Sequence, residues 1–114
     1  MASKQILVDY IVDQLSSISS IRARKMFGEY ALYCNDKVVA LICDNRLFVK
    51  ITDQGKKFIG SNYQEGYAYK GAKASMLIDE DQWDDADWLS ELIRITADNL
   101  PAPKIKKLKL KDEL

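Results

Sequence analysis

The sequence predicts an α+β fold: a two-layer sandwich in which an antiparallel meander sheet carries its helices on one face. Three observations predict it. Apolar residues recur at helical spacing over residues 4–18 and again from Asp84 or Asp85 to Asn99. Between them lie four β-rich runs joined by very short turns, with none of the dozen or more residues that a parallel crossover needs. The chain has 114 residues, the size of one domain, enough to build a single core without metal or disulfide staples.

The first helix gathers Leu7, Val8, Ile11, Val12, Leu15 and Ile18 on one side, with Asp9, Asp13 and Gln14 opposite. Ser3 is its expected N-cap, and the serine-rich stretch 16–20 ends it. The first strand is IRARKMF (21–27). Gly28 permits a bend or bulge before EYALYC (29–34). Asn35-Asp36 and Asp44-Asn45 are two-residue turns that separate KVVALIC (37–43) and RLFVKI (46–51), a hairpin signal even without the favoured glycine. Val38 to Cys43 is apolar on both faces, as a central strand is. Arg46 and Lys50 alternate with Leu47, Val49 and Ile51, as on a half-solvated one.

Asp53 is placed to cap a short helix over 54–61, with Phe58 and Ile59 facing the core. Residues 62–74 read as a loop with a brief strand near Tyr67–Tyr69, and SMLI (75–78) as the last strand. The second long helix buries Trp88, Leu89, Leu92, Ile93 and Thr96. Asp84, Asp85 and Asp87 complement its N-terminal dipole, and Pro101 and Pro103 stop it. The domain thus spans residues 1–103, followed by a basic tail, 104–114, expected to be disordered.

Composition excludes much chemistry. The chain has no histidine, which removes imidazole bases, histidine metal ligands and Cys–His pairs. Two cysteines, Cys34 and Cys43, cannot close a structural zinc site and read as reduced thiols at or near the core. No stretch approaches the roughly 20 apolar residues of a membrane span. The N-terminal segment lacks the apolar core of a secretion signal. A cytoplasmic protein without enzyme activity, cofactor or metal is expected. The terminal KDEL is an address read only in the secretory pathway and is taken as coincidence.

The run Arg22 to Tyr33, RARKMFGEYALY, resembles the opening motif of the TfoX/Sxy N-terminal domain family, Arg-x-Arg-x-Met-Phe-Gly-x-Tyr-x-Leu-Tyr, at all eight named positions. The helix before it, the apolar strand after it and the turn Asp44-Asn45-Arg46-Leu47 are similar as well, so the resemblance covers about residues 4–100. It implies a secretion-chaperone-like two-layer sandwich. It also implies a relation to regulators of natural transformation (competence), which act in transcription with a cyclic-AMP receptor protein. Full-length members carry a second, C-terminal domain of helix-hairpin-helix character.

Strand alternation puts Arg22, Arg24 and Met26 on one face and Ile21, Ala23, Lys25 and Phe27 on the other. Arg22, Arg24 and Lys25, with Tyr30, are candidates for contact with an anionic group or a protein partner, such as transcription machinery or a second copy of the chain. Alternatively, the arginines tie their strand to acidic helix positions. Met26, Phe27, Gly28 and Tyr33 read as structural parts of the motif.

Lys70 and Lys73, with Tyr63, Tyr67 and Tyr69, form a basic-aromatic stretch on which single-stranded nucleic acid can stack; a solubilising surface loop is the plainer reading. A small molecule in a cleft lined by those tyrosines is a third option. A phosphate loop needs lysine directly after its second glycine, and Lys73 is one place late. Seven acids between Asp79 and Glu91 lack the glycine of a calcium loop. The tail lysines Lys104, Lys106, Lys107, Lys109 and Lys111 outnumber Asp112 and Glu113 by three. They add salt-sensitive nucleic-acid affinity, or fold back on the acidic patch.

Overall fold

The computed structural model describes residues 5–26 and 29–100. Its elements are α1 (Gln5–Gln14), β1 (Ile21–Met26), β2 (Glu29–Cys34), β3 (Lys37–Cys43), β4 (Arg46–Val49), α2 (Asp53–Ile59), β5 (Glu65–Tyr67), β6 (Ala74–Ile78), α3 (Glu80–Trp83) and α4 (Ala86–Asn99), with a 3₁₀ turn at Gly60–Asn62. The expected α+β order holds. Ser3, Phe27, Gly28, Pro101, Pro103 and the tail lie outside the described residues.

Turn chemistry builds the meander. Asn35 and Asp36 (φ 53° and 65°) and Asp44 and Asn45 (φ 53° and 58°) all sit in the left-handed region. Asn and Asp tolerate it, and a tight turn with φ positive at both central residues matches the twist of the strands it joins. Six antiparallel strands then order as β1-β2-β3-β4-β6-β5 and form an open sheet with β1 and β5 at its edges. The ladder slips once, at Leu32/Tyr33.

One face of the sheet carries every helix. Leu32, Ile42, Leu47, Val49, Met76 and Ile78 pack there against Val8, Ile11 and Leu15 of α1 and Leu89, Leu92 and Ile93 of α4, all buried. Lys37 at the start of β3 donates from Nζ to the carbonyls of Ala97 (2.8 Å) and Leu100 (2.9 Å). A cation is thereby held where the α4 dipole is negative, which locks the helix to the sheet.

Several expectations need correction. Helix α1 stops at Gln14 and β4 at Val49, each short of the predicted end. The cap of α2 is Thr52, not Asp53: its extended backbone (φ −133°, ψ 153°) lets Oγ1 accept from the Gly55 amide at 2.9 Å, and Asp53 becomes a first-turn residue. The edge strand forms at Glu65–Tyr67 instead of 67–69, because Gly66 has no Cβ to collide with the Phe48 ring, 3.2 Å from where one would lie. A separate turn of helix, α3, precedes α4, with the Asp79 amide donating to Gln82 Oε1 (3.3 Å) and Asp85 capping α4 through the Trp88 amide (3.0 Å). Trp88 is only partly buried and stacks on Phe58 at 5.4 Å; Ser90 and Ala97 join the stripe instead.

Candidate functional site

Because β1 is an edge strand, one of its sides has no neighbouring strand. Arg22, Arg24 and Lys25 are all exposed, while Ile21, Ala23 and Met26 are partly buried. Cations on an edge discourage indiscriminate strand pairing. Arg22 is held in place: Nη2 lies 3.2 Å from Asp36 Oδ1, and the guanidinium sits 5.1 Å from the centroid of Tyr33, its cross-strand neighbour. The tie therefore runs to the β2–β3 turn and not to an acidic helix. Arg24 and Lys25 have no ion-pair partner among the described residues.

Tyr30 departs from the expected surface contact. Its side chain is only 7 % exposed, and its hydroxyl donates to Gln5 Oε1 at 2.9 Å, which fastens β2 to α1. It packs, and offers a partner little area. Tyr33, half-buried, serves as the platform for Arg22.

Two concavities flank this edge. On the helix side a groove of about 630 Å³ runs between α1 and β1, with Val8, Asp9, Val12 and Asp13 on one wall and Ala23 and Lys25 on the other. On the opposite side a cleft of about 590 Å³ is bounded by Met26, Glu29, Leu41, Cys43, Asp44 and Tyr69. Burial raises the Cys43 thiol, and Glu29 and Asp44 raise it further, so it stays protonated at neutral pH and is a poor nucleophile. Glu29 accepts the Asp44 amide at 2.9 Å, a turn contact.

The tyrosine-lysine loop divides. Tyr63 lies apart: its hydroxyl donates to Glu65 Oε2 (2.6 Å) and Lys56 Nζ stands 5.3 Å from its ring centroid. Its phenol is pushed up to about 12, first by partial burial and then by the Glu65 carboxylate. Tyr67 and Tyr69, in contrast, are 65 % and 61 % exposed, beside exposed Lys70 and Lys73. The tail lysines 104, 106, 107 and 109 lie outside the described residues. In the acidic stretch, Asp79 and Asp85 serve the helix starts and Asp84 accepts from the Tyr10 hydroxyl. Among the described residues no three His, Cys, Asp or Glu side chains come together to hold a metal ion, and no helix is long and apolar enough to cross a membrane.

The motif located the cationic strand but not the walls around it. Asp9 and Asp13 read only as the polar side of an amphipathic helix and Val12 as part of its apolar stripe, and nothing local says that they line one groove with Lys25. That Tyr69 and Cys43 line one cleft is likewise a product of the loop's path.

Comparison with known proteins agrees with the motif. A family model described as the TfoX N-terminal domain matches residues 13–100. An uncharacterised 12.7 kDa protein in the trpE 5′ region of Spirochaeta aurantia is 42 % identical over 111 residues, covering 97 % of this chain and 95 % of that one. Protein Sxy of Escherichia coli (strain K12) is 24 % identical over 92 residues, covering 79 % of this chain but 44 % of its own length.

Proposed function

The chain belongs to the TfoX N-terminal domain family, and from that premise we propose that it is a non-catalytic, cytoplasmic regulatory module that binds a protein through β1. Its relation to competence regulators makes transcription machinery the partner class of interest. The carrying observation is the concentration of Arg22, Arg24 and Lys25 on an exposed edge strand, two of them in no ion pair among the described residues. The lack of catalysis rests on the histidine-free composition and on the protonated state of the cleft thiol.

Photo-crosslinking tests this reading. A crosslinking amino acid in place of Arg24 yields a protein adduct in cells, one lost when Arg22 is also changed to Glu. The same probe in place of the exposed but distant Lys57 yields none. Equal adducts at the two positions contradict the reading.

A second reading has one observation in its favour: Tyr67 and Tyr69 present open rings beside Lys70 and Lys73, as a single-strand stacking platform does. Under it, a labelled single-stranded oligonucleotide binds at low salt, weakens steeply as salt rises, and is lost with Lys70→Glu/Lys73→Glu.

A further inference from the structure

We infer that the outer edge of β1 accepts one extended segment as a seventh strand, and that this segment alternates carboxylate and apolar side chains. The inference rests on the protein-binding reading above and names the chemistry of the partner.

Backbone direction comes first. The Ile21 amide donates to the Ile18 carbonyl (3.2 Å), so it points away from β2. In an antiparallel ladder a residue's N–H and C=O share one side and alternate along the strand, so the polar groups of Ala23 and Lys25 lie on that same outer side. Neither amide makes a backbone bond outside the β1–β2 ladder among the described residues. A row of such groups is a template for another strand.

Side-chain surroundings then select what fits. The outer edge opens on the groove beneath α1, and an added strand lies roughly 4.8 Å from β1. Its alternate side chains meet two environments. Those on the face away from the helices stand beside Arg22 and Arg24, where carboxylates are favoured. Those on the helix side meet Val8 and Val12, and there Asp9 and Asp13 offset the positive charge of Lys25, so that apolar side chains fit better than acids. Period-two alternation of acidic and apolar residues satisfies both. A second copy of this chain does not: antiparallel pairing of β1 with itself sets arginines and lysine against cations.

Fluorescence polarisation with a labelled EVEVEV peptide and the intact chain tests this. The alternating peptide binds, and an EEEVVV peptide of equal composition binds at least tenfold more weakly. Ala23→Pro removes one outward amide and no β1–β2 bond, and weakens binding at least tenfold with an unchanged melting temperature. N-methylating either the Glu or the Val amides of the peptide leaves the protein untouched, and only one of the two series blocks binding. Failure of EVEVEV to bind overturns the inference. So does equal blocking, or equal tolerance, by the two N-methyl series. If Arg22→Glu/Arg24→Glu abolishes binding while Ala23→Pro and both N-methyl series keep it, strand addition falls and charge-led docking survives; crosslinking at position 24 judges that docking separately.

Discussion

Trp83→Ala lowers stability by about 3–5 kcal/mol, one of the two largest single losses expected in this fold. Trp83 closes the four-residue α3, is 6 % exposed, and belongs to the main core beside α4. Its indole Nε1 donates to the Ile78 carbonyl at 3.1 Å, and its own carbonyl accepts from Gln14 Nε2 at 2.7 Å. Alanine leaves a cavity and removes the indole's hydrogen bond to the Ile78 carbonyl, a bond that contributes about 0.5–1.5 kcal/mol net. Trp83→Phe separates the two effects, since it keeps most of the ring volume and loses only the N–H. Urea denaturation of both variants reads the difference as a shift of midpoint at constant slope. A loss below about 1 kcal/mol for the alanine variant contradicts this packing.

Phe48→Ala costs about 3–5 kcal/mol through the other face of the sheet. Leu47 and Val49 point into the main core, so Phe48 between them points away from the helices, yet it is only 1 % exposed. Its cross-strand neighbours Leu41 and Leu77 flank it, and Gly66 of the edge strand β5 lies against the ring. Loss of the ring therefore also loosens the three-residue β5. Amide exchange at Glu65–Tyr67 speeds up in Phe48→Ala, whereas exchange in β1 and β2 stays within the change set by global stability. Unchanged exchange in β5 contradicts the role given to Phe48.

These two positions show what was legible in the chain and what was not. The meander is written locally, in Asn-Asp and Asp-Asn turns whose residues accept positive φ, and α1 and α4 in apolar periodicity. The cationic strand was equally plain, because Arg22, Arg24 and Lys25 stand in a six-residue run. Phe48 reads as an unremarkable strand residue between Arg46 and Lys50, since its burial depends on a loop folding back from residues 62–73. Trp83 was absorbed into an acidic stretch, since a four-residue helix is too short to show periodicity. Tyr30 was expected at the surface because its hydroxyl's partner, Gln5, is 25 positions away. Each miss concerns a contact between elements, which no local window contains.

The central claim is that the β1 edge, and not the tyrosine-lysine loop, is where this domain meets its partner. Hydrogen–deuterium exchange of the chain alone and in its crosslink-captured complex tests it most directly. Slowed exchange concentrated in residues 21–26, with residues 63–73 unchanged, is the predicted result. Slowed exchange centred on Tyr67–Lys73, with β1 exchanging as in the free chain, would contradict it.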